Sequence, residues 1–280
     1  METFRWFGKT LSHSLSELHL IILSDLHYGN PYCSVKHFLR TVDFIKETEN
    51  CVVLLNGDFC EAAIRTSKGE IYKQVGTPDD QWKQVRDWLL PIKGKILGMT
   101  TGNHERRIYD VAGVDISHSI AEALEIPYRA EGMLYKLSFG GGNEGHSQQP
   151  YVFWIYVTHG YGGARTRGAK AVKAERLSYW MLADVFGMAH DHEVNVAPAV
   201  RFTADARGYE EEHGFVSGAV REHRIMLVKT NAYVKFGGYA EIGGFSPSDL
   251  STPVIHLLTP SSKLWELCPD SPQKGVKVLV

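Results

Sequence analysis

Five times along this chain an apolar run stops at residues able to bind a cation or move a proton, and that recurrence restricts the folds open to it. The first case is Ile21–Asn30, IILSDLHYGN, where Asp25 and His27 stand one residue apart just past the run. In an extended chain, residues i and i+2 point the same way, so the spacing predicts that both side chains reach one point as a strand ends. A carboxylate and an imidazole converging there suit a borderline divalent ion such as Mn, Fe or Zn. A single D-x-H is common; its weight here comes from the later runs.

In chain order, Leu18–Leu23 reads as a buried strand. Lys36–Glu49 reads as a helix, with Phe38, Leu39, Val42, Phe44 and Ile45 on one side. Cys51–Leu55 is a second apolar run, ending in Asn56-Gly57-Asp58. Strand, helix, strand implies a right-handed parallel crossover, and ligands gather at the carboxyl ends of such strands. Gly57 fits a tight turn that lets Asp58 project, and Glu61 follows three residues on. Asp79–Leu90 reads as a second helix. Lys95–Thr101 reads as a third strand, exiting at Gly102-Asn103-His104-Glu105, and Arg106–Ile126 as loop and helix.

Met133–Phe139 and Tyr151–Thr158 read as strands, with a hairpin loop over Gly140–Pro150. Tyr151–Thr158 is apolar throughout, hence central, and ends at His159-Gly160. Ala169–Leu182 reads as a helix, and a short apolar run then meets His190-x-His192. Taken singly these residues have plainer readings. Asp25 would serve as a cap, Asp58 and Asn103 as turn residues, and the histidines as loop or strand-end residues.

The ordered set Asp25-x-His27, Gly57-Asp58-x-x-Glu61, Gly102-Asn103-His104-Glu105, His159-Gly160 and His190-x-His192 resembles the calcineurin-like metallophosphoesterase superfamily. The match spans residues 21–193 and departs twice from the usual pattern. Glu61 stands where Asp is usual, and Ala189 where Gly precedes the last pair. The resemblance implies an α/β fold, a four-layer sandwich of two packed mixed sheets flanked by helices, in one domain over 1–280. Strands within 194–280 would complete the second sheet. It also implies two divalent ions, one on Asp25, His27 and His192 and the other on Asn103, His159 and His190, with Asp58 bridging. His104 would stay off both as general acid, oriented by Glu61. Mn is the first expectation for the ions, with Fe, Zn or Co as alternatives.

The chemistry follows from the residue types as well. Two cations about 3.5–4 Å apart offset phosphate charge, clamp the attacking and leaving oxygens, and turn a shared water into the nucleophile. His104 could then protonate the leaving oxygen. The expected activity is phosphodiester or phosphomonoester hydrolysis, on substrates that include nucleotides or single-stranded nucleic acid. A nuclease is the alternative, and a non-catalytic scaffold of the same fold a third reading. Arg165 and Arg167, in the basic run Arg165–Lys173, are candidates to hold a substrate phosphate; the competing reading is a solvated helix face. Tyr28 could stack on a base or pack against the sheet.

Composition sets the outer limits. With 280 residues, 44% hydrophobic and 22% charged, the chain matches a soluble globular protein. A net charge of −2 gives no global field toward nucleic acid or anionic membrane. No apolar run approaches a membrane span, and the start METFRWFGKTLSHS lacks a signal core, so a cytoplasmic location is expected. Cys33, Cys51, Cys60 and Cys268 are irregularly spaced and read as reduced thiols. His13, His19, His37, His118, His146, His213, His223 and His256 show no partner pattern and read as surface or core residues. After Glu193, Val216–Val220, Arg224–Thr230 and Pro253–Leu258 read as strands. Phe236–Phe245 reads as a loop near the cleft or an ordinary hairpin, and Leu264–Val280 as a tail along the domain edge.

Overall fold

A computed structural model of the chain describes residues 4–65, 67, 71–140, 150–247, 249–267 and 275–280. The elements begin with β1 (Trp6–Leu11), β2 (Glu17–Leu23), α1 (Val35–Glu47), β3 (Cys51–Asn56), α2 (Pro78–Leu89) and β4 (Ile96–Thr100). Next come α3 (Asn103–Ala112), α4 (Ile116–Leu124), β5 (Met133–Phe139), β6 (Tyr151–Thr158), α5 (Arg167–Leu177) and β7 (Val185–Met188). The chain ends with β8 (Asn195–Glu212), β9 (Phe215–Lys229), α6 (Tyr239–Ile242), β10 (Val254–Leu258) and β11 (Gly275–Leu279). No helix among the described residues is long and apolar enough to cross a membrane.

The strands form a six-stranded sheet, β1-β5-β6-β7-β9-β8, and a five-stranded sheet, β11-β10-β2-β3-β4. Alternation along the strands builds the layers. Leu18, Leu20 and Ile22 of β2 meet Phe153, Ile155 and Val157 of β6 in a core between the sheets. Ile21 and Leu23 face the other way, onto Phe38, Val42 and Ile45 of α1 and Val85 and Leu89 of α2. On the far side, Ala174 and Leu177 of α5 pack on Tyr156 and Phe186. The result is the expected four-layer α/β sandwich, with β6 inside its sheet.

Local chemistry explains the helices. Thr77 accepts from Asp80 N while the Asp80 carboxylate accepts from Thr77 N, with Pro78 in the first turn of α2, a complete capping box. Asp115 caps α4 by accepting from His118 N. The N-terminus of α3 instead begins at Gly102 without a side-chain cap of its own.

Several sequence expectations need correction. The edge strand β1 was not expected: its residues are mostly exposed and lack an alternating pattern. Nor was β8, whose Pro198 and exposed outer half resemble loop; β9 runs continuously where two strands were expected. Beyond residue 204 these two pair only with each other, as a hairpin projecting from the sheet, so no packed face imposes alternation. The segment after Gly102 starts directly as α3, not as loop. Strands after Glu193 complete both sheets, because β8 and β9 join one while β10 and β11 join the other. The one-turn helix α6 lies within Phe236–Phe245. The hairpin-loop expectation for Gly140–Pro150 and the reading of Cys268 fall largely or wholly outside the described residues.

Candidate metal centre

The parallel strands β2, β3 and β4 end level with one another, Leu23 beside Leu55 and Asn56 beside Thr100. In the other sheet, Thr158 at the end of β6 lies beside Met188 of β7. The two rims are joined by Asn56, whose Nδ2 donates to Thr158 O at 2.9 Å and whose Oδ1 accepts from Thr100 Oγ1 at 2.8 Å. All five polar blocks therefore open onto one rim of the sandwich.

Asp25, His27, Asp58, His190 and His192 all have left-handed backbone, with φ between 49° and 73°. Such conformations are uncommon for non-glycine residues and collect at functional sites. This corrects the strand-alternation argument for Asp25 and His27: β2 has ended by Leu23, and a left-handed turn aims the two side chains. The turn is held by Asp25 N donating to Gly57 O and His27 N donating to Asp58 O, at 3.0 and 2.9 Å. Gly57 (φ 77°) and Gly102 press together at the ends of β3 and β4. A Cβ on Gly57 would collide with the Gly102 backbone, and one on Gly102 with the Asp58 carboxylate.

Two groups of donors result. In the first, His27 Nε2 is 3.0 Å from His192 Nε2, and Asp25 Oδ1 is 3.3 Å from His192 Nε2 and 3.8 Å from His27 Nε2. In the second, His159 Nε2 is 3.1 Å from Asp58 Oδ2 and 3.2 Å from Asn103 Oδ1, while His190 Nδ1 is 2.7 Å from the same Asn103 oxygen. Ligands at about 2.0–2.1 Å around one ion stand about 2.9–3.4 Å apart, so both groups have nearly the spacing of a coordination shell. Asp58 Oδ2 is also 3.8 Å from His27 Nε2, placing it between the groups.

The outer hydrogen bonds fix which ring nitrogen faces the cluster. His159 Nδ1 donates to Asn56 O and His190 Nε2 to Gly162 O, leaving the opposite nitrogen of each ring to face the cluster. Asp25 is fully buried, and its Oδ1 has no hydrogen-bond partner among the described residues. Asp25, His27 and His192 form one acid–imidazole group at this rim that could hold a cation, and Asp58, His159 and His190 another; a third grouping reuses His27 and Asp58 with His104. An unsatisfied buried carboxylate oxygen and a mixed N/O donor set without thiolate fit divalent ions.

Electrostatics agree with that fit. Burial would push the Asp25 and Asp58 carboxyls up, but the surrounding imidazoles outweigh it and hold both well below the usual range. Burial would lower His159, yet the Asp58 carboxylate beside it lifts the imidazole to about 9. His27 is likewise raised, burial being outweighed by the Asp25 and Glu61 carboxylates beside it. Metal-free, the cluster is a set of buried carboxylates neutralised by protons that a cation could replace.

His104 stands beside both groups. Its Nδ1 donates to Glu61 O at 2.8 Å, and its Nε2 lies 4.0 Å from Asp58 Oδ2. Burial brings this imidazole down to about 4, against the pull of Asp58. The Glu61 carboxylate sits nearer to His27 Nδ1, at 3.3 Å, than to His104 Nδ1, at 3.7 Å. Glu61 thus orients His104 through its main-chain carbonyl, where the sequence reading expected its carboxylate to do so.

The basic run divides. Arg167 is exposed but paired to Glu193 at 2.7 Å, and Arg165 lies over the Phe245 ring, 5.8 Å from its centroid. Neither is among the converging donors. Lys170 and Lys173 are buried on Glu193 and Asp191, which corrects the solvated-face reading for these two. Tyr28 packs edge-on against Trp88. Phe236–Phe245 does lie by the rim, with Gly237 and Gly238 against the Tyr32 ring and Phe245 under Arg165.

Sequence reasoning missed three supports. Glu105, buried, accepts from Asp58 N at 3.0 Å and Cys60 N at 2.9 Å, fixing the turn that carries Asp58. Asp58 Oδ1 in turn accepts from His104 N at 2.8 Å, so the carboxylate caps α3 and feels its positive end. Asp191, between the two histidines of the last block, is clasped by Lys173 and Lys229. Glu105 was detectable as an acid in the first turn of a helix opening at a strand exit; nothing local signals the Lys229 pairing.

No family profile and no curated protein matches the chain. Similar solved structures include a mutant Vps29 from Entamoeba histolytica (TM-score 0.39, 11% identity, 94% of this chain and 98% of that one). Others are the nuclease MPE of Pseudomonas putida (0.35, 14%, 87% and 85%) and a metallophosphoesterase from Sphaerobacter thermophilus (0.37, 12%, 87% and 84%). At these scores nothing is carried from them to the site. The resemblance to calcineurin-like phosphoesterases rests on the five blocks and on their meeting at one rim.

Proposed function

We propose that this chain is a metal-dependent phosphoester hydrolase, and one observation carries the reading. Seven donors from five remote blocks stand 2.7–3.8 Å from their neighbours, share Asp58, and leave His104 beside them but uncommitted. Asp25, His27 and His192 would hold one divalent ion and Asn103, His159 and His190 the other, with Asp58 touching both; Mn is the first candidate. When bound, such a pair would neutralise phosphate charge and acidify water.

The remaining steps belong to the chain. His104 keeps its Nδ1–H on the Glu61 carbonyl, so Nε2 is the atom aimed at the substrate. An arriving phosphate adds negative charge beside the ring and favours its protonated form. On cleavage of the P–O bond, Nε2 gives its proton to the departing oxygen, and the ring returns to neutral with Nδ1–H in place. Glu61 serves through its carbonyl, and its carboxylate steadies His27. Arg165, three residues beyond the Gly162 carbonyl that anchors His190 and stacked over Phe245, is the candidate cation for a substrate phosphate; Arg167 would have to leave Glu193 to help. Substrates are phosphodiesters or phosphomonoesters, including nucleotides and single-stranded nucleic acid.

The test is a matched panel of a phosphomonoester, a phosphodiester and single-stranded DNA, with Mn supplied. His104→Asn should lower kcat by about 100- to 10,000-fold with bound Mn unchanged. Asp58→Asn should lower occupancy of both positions. A protein that binds Mn yet turns over none of the three substrates is a scaffold, and the proposal fails.

A further inference from the structure

A separate acid–imidazole cluster lies at the opposite end of the five-stranded sheet. Glu17 and His19 alternate along β2, and His256 of β10 is the cross-strand partner of His19. Leu18, Leu20, Ile255 and Leu257 point into the core between the sheets, so these three residues share the other face. Glu17 Oε1 lies 3.1 Å from His19 Nε2 and 2.6 Å from His256 Nδ1, and the two rings meet edge to face at 4.6 Å. One donor atom from each side chain lies within 4.8 Å of the other two. The side chains of Glu17 and His19 are about a quarter exposed, so the cluster is sheltered yet reachable from solvent.

The protein gives these rings no other work. His19 Nδ1 and His256 Nε2 are both buried without a hydrogen-bond partner among the described residues. Most buried side-chain polar atoms are satisfied, and a pair that is not calls for an ion or water. A half-turn of either ring about Cβ–Cγ exchanges nitrogen for carbon, so each histidine can present either nitrogen. Burial pushes the Glu17 carboxyl up, but hydrogen bonds from His256 and His19 outweigh it and keep the group below its ordinary value. Lys277, the partner of His256 on β11, turns its ammonium onto the Leu267 carbonyl.

We infer that Glu17, His19 and His256 form a second, mononuclear site for a borderline divalent cation of the Zn2+ class. Two imidazoles and a carboxylate make a three-ligand zinc set that keeps a fourth position for water. Tetrahedral donors at zinc distances stand about 3.3 Å apart, so binding requires Glu17 to draw back from His256 by several tenths of an ångström. The site shares no ligand with the candidate phosphoesterase centre: His19 and Asp25 are six residues apart along β2 and its exit, about 20 Å at strand spacing. A bound ion would tie β2 to β10, a link between chain segments remote in sequence.

The test uses the full chain, stripped with chelator and titrated with Zn2+, as wild type, H256Q and H19Q. Each variant should bind one Zn2+ fewer than wild type. In a D58N background, Zn2+ should raise the melting midpoint, and D58N/H256Q should lose that rise. Equal Zn2+ stoichiometry in wild type and either folded variant overturns the site. Should both variants fail to fold, ring 15N signals of His19 and His256 in wild type must move on Zn2+ addition; unmoved signals overturn it. None of these readouts depends on turnover, so this site and the phosphoesterase reading stand or fall separately.

Discussion

Asp191 is the residue whose loss should cost most for its size. Its buried carboxylate, between His190 and His192, accepts from Lys173 through one oxygen and from Lys229 through the other. The Lys229 side chain is 1% exposed, and the Asp191 side chain 3%. Asp191→Asn keeps the shape and removes the charge, leaving two enclosed ammoniums facing an amide. Breaking a buried pair from one side costs about 3–5 kcal/mol. The penalty on Lys229 has a ceiling, because the lysine can shed its proton: from about 10.4 down to pH 7 that costs about 5 kcal/mol, at about 1.4 per unit. Lys173 also donates to Tyr161 O at 2.8 Å, which softens its share. A loss of about 3–5 kcal/mol against a urea slope of about 3 kcal/mol per M moves the unfolding midpoint down by about 1–1.7 M. The double variant D191N/K229M removes the stranded charge and should recover at least half of that. Metal occupancy should fall in D191N and stay low in the double variant, where Lys229 no longer reaches Ala189 O to brace the loop. A D191N midpoint within about 0.2 M of wild type, or no recovery on adding K229M, would refute the buried-charge reasoning.

Other outcomes follow from the same centre. Metal affinity should rise with pH through neutrality, because His159, lifted to about 9 by Asp58 against burial, and His27, also raised, must each give up a proton to a cation. Each displaced proton contributes about tenfold per pH unit, and Mn titrations in buffers of different ionisation enthalpy count them; a flat profile from pH 6 to 9 would remove both residues from the ligand set. The metal-free fold carries the opposite sign: stabilisation from protonated His159 is complete below its unfolded value of about 6.5 and is lost as pH rises through about 9, so the metal-free melting midpoint should fall over that window. Gly102→Ala should cost at least about 2 kcal/mol and halve metal binding or worse, because the new methyl group meets the Asp58 main-chain nitrogen as well as its carboxylate. An unchanged urea midpoint and full metal occupancy in that variant would show that the two turns can separate.

What was legible in the sequence was what local pattern controls. Apolar runs ending in acid, amide or imidazole marked the ends of β2, β3, β4, β6 and β7, and parallel pairing then brings such ends to one rim. Strands without a buried face on both sides left weaker traces, which is why neither β1 nor β8 was legible. Within the site, side-chain types could be read but backbone shape could not. Asp25, His27, Asp58, His190 and His192 all adopt left-handed backbone, a conformation their own propensities do not demand. It is imposed by tertiary bonds, such as Asp25 N to Gly57 O and Ala189 N to His159 O, that join residues far apart in sequence. Gly57 and Gly102 illustrate the division. Gly57 was readable as a turn glycine, but the reason neither it nor Gly102 can carry a side chain is the other strand's exit pressed against it. The same holds for Glu61: its spacing from Asp58 suggested a carboxylate for His104, yet the turn delivers the main-chain carbonyl to that ring and sends the carboxylate to His27. A ligand set can thus be inferred from spacing, whereas what orients each ring depends on which backbone groups the packed sandwich leaves facing it.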